Sequence, residues 1–203
     1  MREAFDREVL EAGAMEAAPA LLGAILLRVS PDDRVVRAGI VVETEAYTED
    51  DPASHCFRGE TRRNGAMFGR AGLAYIHINY GIHRCLNVVT GPEGHGQGVL
   101  LRALWPIAGI EAMRQTRTWP EPKPVKGLTD GPGKLTQALA FGMELDRTDL
   151  LDPASPLRLL KGHRAPLEDI QVTPRIGIKK AAEWPRRFLV TPAAYPRIAQ
   201  VDF

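Results

Sequence analysis

Cysteine is nearly absent: Cys56 and Cys85 are the only two in 203 residues, and neither belongs to a CxxC pair. A disulfide framework is excluded, and a reduced, cytoplasmic setting is the simpler expectation. Long apolar runs are missing as well. The best stretch, residues 17–27, contains Pro19 and Gly23 and falls short of the roughly 18 apolar residues of a membrane helix. The acidic, polar N-terminus is unlike a secretion signal, and its shortness predicts no long regulatory arm. No HExxH occurs, and His83-x-Cys85 is not a usual ligand pair, so no metal site is expected. There is no internal repeat and no low-complexity tract. Charge is almost balanced at +1, which by itself selects no partner.

The charge that is present is unevenly distributed. Residues 1–57 hold 5 basic and 12 acidic residues, whereas residues 58–203 hold 21 and 13. The basic excess gathers between Arg58 and Arg70 and between Arg158 and Arg187. A surface collecting these would follow a phosphate backbone with salt-sensitive affinity. A solvated face is the plainer reading of any charge run.

A mass of 22.3 kDa with 44% hydrophobic residues is enough for one well-buried core, so residues 1–203 are expected to form a single domain. Helices are predicted over 2–11, 17–22, 107–117 and 134–143. Strands are predicted over 24–29 and 35–47, joined by a turn at Ser30-Pro31-Asp32-Asp33, and over 74–80, 83–90 and 98–104. Gly81-Ile82 is too short a connection for anything but antiparallel pairing. Trp119 opens a Pro-rich loop, and short strands are placed within 145–174 and around 175–178 and 188–190. The predicted class is α+β: a curved, mainly antiparallel sheet with helices on one side.

Polar residues inside these strands need a reason to be there. In VVETEAY, residues 41–47, a period of two puts Glu43, Glu45 and Tyr47 on one face. Two carboxylates and a phenol sharing a face describe a cleft wall rather than a core. In AYIHINY, His77 faces one way and Tyr80 the other, and Tyr80 precedes Gly81 at a hairpin tip, where an exposed aromatic suits a wedge between stacked bases. Asn87 shares a face with His83 and Cys85. Arg102 shares one with Leu100 and Leu104, company that implies a carboxylate partner. Each has a duller reading: a structural histidine, a covered hairpin edge, an ion pair that only holds the sheet. The run Gly131-Pro132-Gly133-Lys134 fails the phosphate-loop pattern, because Leu128 and Leu135 stand where Gly and Ser or Thr belong. A glycine-rich turn entering a helix still offers N–H groups that, with Lys134, suit one backbone phosphate.

Together these residues resemble the 3-methyladenine, or alkyladenine, DNA glycosylases. The resemblance rests on ETEAY (43–47), DPASH (51–55), RNGAMFG (63–69), YIHINYGIHRCLNVV (75–89), VLLRAL (99–104), GPGKLTQAL (131–139) and RIGI with AAEWP near the C-terminus. These occur in unbroken order, and seven motifs in sequence are highly specific.

The resemblance implies an enzyme that works without metal or cofactor on double-stranded DNA. Such an enzyme turns a damaged purine into a pocket and cuts its N-glycosidic bond with water. Glu45 matches the general base, and Arg102 the residue that helps hold the water and the acid. Tyr47 and His55 match residues lining the base pocket, and Asn87 the one whose amide crowds the 2-amino group of guanine. Tyr80 matches the tyrosine that fills the gap left by the flipped base, and Met67, Arg63 and Lys134 are assigned with it to the DNA-facing set. No lysine falls among the matched pocket positions, so a monofunctional enzyme with no Schiff base is expected, acting as a monomer, nucleoid-associated if the host is bacterial. His77 departs from the usual tyrosine. Its smaller, ionisable ring predicts weaker grip on neutral lesions, or a pH dependence near about 6.5. Two other classes stay open: a silent reader of distorted DNA, and a hydrolase or transferase acting on a nucleoside or on tRNA.

Overall fold

The protein is described here by a computed structural model covering residues 2–30 and 35–199. Its strands are β1 (Ile25–Val29), β2 (Val36–Tyr47), β3 (Ala74–Asn79), β4 (His83–Val89), β5 (Gly98–Ala108), β6 (Leu157–Leu160), β7 (Ile170–Thr173) and β8 (Arg187–Val190). The helices are α1 (Arg7–Glu11), α2 (Ala14–Ala20), α3 (Ile110–Thr116), α4 (Pro132–Ala138) and α5 (Tyr195–Ile198). All eight strands join one sheet of order β3-β4-β5-β2-β1-β6, with β8 added to β2 and β7 to β8. Every pairing is antiparallel. The α+β class is as expected.

The period-two pattern sorts the sheet into two faces. Ala74 and Ile76 of β3, Leu86 and Val88 of β4, Val99 and Leu101 of β5 and Ala46 of β2 are buried in one continuous core. Onto it pack the small side chains of α2 (Ala14, Ala17, Ala18) and the apolar side of α4 (Leu135, Ala138). Thr44 ties α2 to β2 by donating its hydroxyl to the Ala18 carbonyl at 2.8 Å. The opposite face carries Tyr75, His77, Asn87, Leu100, Arg102 and Tyr47, and it lines a cavity. A smaller cluster of Cys56, Ala66, Met67, Tyr75 and Val89 supports that side.

The elements differ from expectation where long-range contacts outweigh local propensity. The first helix is only Arg7–Glu11, because residues 3–5 run extended along β6: Phe5 N–H donates to Leu159 at 3.0 Å and Lys161 N–H to Glu3 at 2.9 Å. Strand β5 continues past Leu104 to Ala108, carrying Pro106 beside a register shift, where an interior strand tolerates proline. Helix α4 stops at Ala138. Residues 175–178 form bends rather than a strand. The predicted turn at Pro31-Asp32-Asp33 lies outside the described residues, although β1 and β2 pair as expected up to Val29↔Val36.

Candidate active site

Strand β2 is 12 residues long and forks. Its first half pairs with β1 through Ile40, and Glu43 to Glu45 pair instead with β8, while β5 follows the other edge throughout. Glu45 therefore lies mid-sheet, opposite Leu100 on one side and Arg187 on the other. The β2–β5 ladder slips twice nearby. Val42 has no partner across the ladder, and pairing then skips from Ala103↔Glu43 to Thr44↔Leu101, leaving Arg102 as the extra residue of β5. Bulges re-aim side chains. This pair brings Arg102 onto both acids: Nε donates to Glu43 Oε1 at 2.9 Å, and Nη1 lies 3.3 Å from Glu45 Oε1.

Glu45 is fully buried. Burying a carboxylate is costly unless it is paired and hydrogen-bonded, and here it is both. Oε1 accepts the Ile176 backbone N–H at 2.9 Å, and Oε2 accepts the Tyr47 hydroxyl at 2.8 Å. Burial, and then the charge of Glu45, hold the Tyr47 phenol above its ordinary pKa, so it stays a proton donor. Glu43 is shared by two arginines, because Arg187 Nε also donates to its Oε1 at 2.6 Å. Arg102 and Arg187 thus balance Glu43 and Glu45 without a net local charge.

A second buried pair positions this arrangement. Arg175 forms two hydrogen bonds with Asp51, both side chains being fully buried, and donates to the Ala46 carbonyl at 3.1 Å. Its guanidinium lies 4.6 Å from the centre of the Tyr47 ring. Arg175 thereby anchors the loop that delivers the Ile176 N–H to Glu45 and packs against the phenol that holds the other oxygen.

The cavity beside Glu45 has a volume of about 170 Å³, and its wall includes Tyr47, His55, His77, Asn87 and Arg102. Its aromatic side is built on β3: the Tyr75 and His77 rings stack at 5.3 Å, and His55 meets His77 edge-on at 4.5 Å. His55 Nδ1 is 2.9 Å from the Tyr75 hydroxyl, and Asn87 Nδ2 is 3.2 Å from His77 Nδ1. Burial, followed by the neighbouring His55 and Arg63, pushes the pKa of His77 down to about 4. This corrects the expectation of a His77-dependent pH profile near 6.5: the ring is neutral across the ordinary range. The linkage instead appears in stability. Between pH 6.5 and about 4 the unfolded chain binds a proton at this position that the folded one does not. Folding stability therefore weakens as pH falls through that window. Urea midpoints measured from pH 7 to 5 should drop less steeply for His77→Tyr than for the wild type; equal slopes would contradict the assignment.

The residues assigned to the DNA-facing set have mixed placements. Tyr80 is 78% exposed at the β3–β4 tip, with Ile82 at 74% beside it. Both Tyr80 (φ 51°) and Gly81 (φ 74°) lie in the left-handed region, so the turn centres on Tyr80-Gly81 rather than on Gly81-Ile82. Positive φ at both central positions suits a tight hairpin. Arg63 is exposed and donates to the Ile78 carbonyl of the same hairpin at 3.3 Å. Lys134 is near the mouth but pairs with Asp130 at 2.7 Å, and the following helix is only seven residues long. Met67, 2% exposed, belongs to the cavity wall instead of the outer surface. The basic segment 158–187 is partly consumed internally: Arg175, Arg186 and Arg187 face Asp51 and Glu43, and Lys161 pairs with Glu3 and Asp6. Arg58, Arg62 and Arg63 remain exposed.

Sequence reasoning did not assign Asp51, Arg175, Arg187 or the Ile176 N–H. Asp51 and Arg175 belong to the DPASH and RIGI motifs, whose recurrence was the available signal; a backbone N–H gives none.

The sequence profile described as methylpurine-DNA glycosylase (MPG) matches residues 8–194. A Methanoculleus marisnigri protein with the name 3-methyladenine DNA glycosylase is 44% identical over 192 residues, covering 91% of this chain and 94% of that protein. Proteins of the same name from Agrobacterium fabrum, 44% identical with 96% and 95% covered, and from Rhodopseudomonas palustris, 46% identical with 85% and 78% covered, are similar to it as well. With matches of this extent, spanning every residue of the Glu45 cavity, the chain belongs to the methylpurine-DNA glycosylase family.

Proposed function

We propose that this protein is a monofunctional DNA glycosylase that takes alkylated and deaminated purines from duplex DNA and hydrolyses their N-glycosidic bond, with Glu45 as general base. The observation that carries the reading is the coordination of Glu45. A carboxylate offers about four acceptor directions. The Ile176 N–H, Arg102 and Tyr47 occupy three of them. One remains for a water proton, next to a cavity walled by Tyr47 and Arg102.

The chemistry fits these groups. A purine alkylated at N3 or N7 is positively charged and leaves readily, so the protein must chiefly place water and stabilise an oxocarbenium-like sugar. A buried anion serves both tasks, because the dry site strengthens its field and its hydrogen bonds fix its direction. Arg102 holds the acid and faces the cavity. Neutral bases such as hypoxanthine additionally need protonation, and for these the leaving group itself limits the rate.

A glycosidic bond inside the stack is out of reach, so the nucleotide must be extruded into the cavity. Tyr47, His55 and His77 supply the rings against which a purine packs, Tyr80 fills the vacated space, and Arg63 and Lys134 contact phosphates beside the mouth. The acting species is a monomer, as this one-chain cavity requires no second copy.

The test compares wild type and Tyr80→Ala for release of 3-methyladenine, hypoxanthine or ethenoadenine placed singly in a duplex. Wild type should release base. Tyr80→Ala should fold normally, its side chain being 78% exposed, yet lose about tenfold or more in release, since aromatic stacking on a base contributes roughly 1–3 kcal/mol. Binding without release by wild type would favour the silent reader, and absence of both would point to RNA.

A further inference from the structure

His77 does more than contribute a ring to the cavity; it fixes the orientation of the amide opposite. Asn87 Nδ2 faces two acceptors: the Tyr75 carbonyl at 3.4 Å and His77 Nδ1 at 3.2 Å. The carbonyl can only accept, so it places the nitrogen, not the oxygen, on that side. With the amide nitrogen donating, His77 Nδ1 must be the unprotonated nitrogen, and its proton sits on Nε2. Asn87 Oδ1 is then turned away from both partners. It has no hydrogen-bond partner among the described residues, yet it is not among the buried polar atoms left unsatisfied, so it opens to the cavity that Asn87 lines. The same holds for His77 Nε2.

Resting on the glycosylase reading, we propose that His77 is a positioning residue that turns the Asn87 oxygen into the cavity, making this site a hydrogen-bonding receiver of purines with an exocyclic 2-amino group. An amide oxygen accepts an N–H; an amide nitrogen in its place would oppose one. The cavity therefore shows an acceptor from Asn87 and a donor from His77 Nε2. Together they complement the guanine edge, which carries the N2 amino donor next to the N3 acceptor. The substrate class so favoured is guanine alkylated at N7, whose N3 is free and whose N2 amino group is intact. This reverses the role that the family resemblance implies for Asn87, where the amide crowds the 2-amino group. A phenol at position 77 would offer no nitrogen lone pair to hold the amide this way.

The experiment measures single-turnover release from duplexes carrying one 7-methylguanine or one 7-methylhypoxanthine, at mildly acidic pH where both are cations. The two bases differ only in the 2-amino group, so their rate ratio isolates its recognition from stability, folding and general activity. His77→Phe keeps a ring to stack on Tyr75 but removes the acceptor, and the ratio should fall about three- to tenfold, the net value of one hydrogen bond. His77→Asn returns an acceptor near the Nδ1 position and should restore most of the ratio. An unmoved ratio in His77→Phe, or an equal fall in His77→Asn, overturns the inference while leaving the glycosylase reading intact. Failure of wild type to release either base would overturn that reading itself, and the inference with it.

Discussion

Glu45→Gln is expected to reduce base release by about 10²–10⁴-fold, the usual contribution of a general base, while leaving the protein folded and bound to lesion-bearing duplex. The substitution is nearly isosteric, and most of the hydrogen bonds survive it. The amide oxygen can still accept the Ile176 N–H and face Arg102. The amide nitrogen meets Tyr47, whose hydroxyl can turn from donor to acceptor. Arg102 keeps its 2.9 Å bond to Glu43, so it is not stranded as an unpaired charge. What disappears is the anion: an amide neither takes a proton from water nor stabilises a cationic sugar. Release rates under single-turnover conditions, read beside binding of the same duplex, check this. Release by Glu45→Gln within tenfold of wild type would remove Glu45 from the role of base.

Asp51→Ala should produce the largest loss of stability of any single change near the site. It leaves Arg175, fully buried, without its carboxylate, and takes from Arg186 a partner 3.4 Å away. Breaking one side of a buried pair costs about 3–5 kcal/mol, which for a chain of this size lowers Tm by roughly 6–20 °C. Activity should fall as well, because Arg175 anchors the loop carrying the Ile176 N–H and packs on Tyr47. Pairing Asp51→Leu with Arg175→Met should recover much of the stability but not the activity, since an apolar pair fills the space without restraining the loop. Thermal unfolding followed by circular dichroism decides the matter; a Tm change of about 2 °C or less in Asp51→Ala, under one kcal/mol at this size, would mean the pair is not structural.

Much of the site could be read from the strands. Glu43, Glu45 and Tyr47 fall on one face because the strand period is two, and an arginine among leucines implied an acidic partner. That partner is two acids at once, Glu43 and Glu45. Tyr80 was marked by its place before Gly81, and its exposure fits a tip residue. Met67 was harder: nothing local distinguishes a methionine on an outer surface from one packed under Gly98 in a cavity wall. The length of the first helix was misread for a similar reason, since Glu3 and Phe5 are pulled into extended pairing by β6, more than 150 residues away in sequence. Strand β5 looked as if it should stop before Pro106, and only the register shift beside it allows it to continue.

The sequence by itself determined the antiparallel α+β class, the face of each strand that carries polar groups, and the motif order that marks the family, because these depend on residue type and on short-range periodicity. The tertiary structure alone decided how those groups act on one another. The fork of β2 and its paired bulges bring Arg102 onto Glu43 and Glu45. The Asp51–Arg175 pair carries a backbone N–H across 131 positions to Glu45. The packing of His55 and Tyr75 around His77 buries an imidazole whose ordinary pKa would otherwise place it at the edge of ionisation. Each depends on the burial and direction of atoms distant in the chain, and desolvation and hydrogen-bond geometry exist only once the chain has folded.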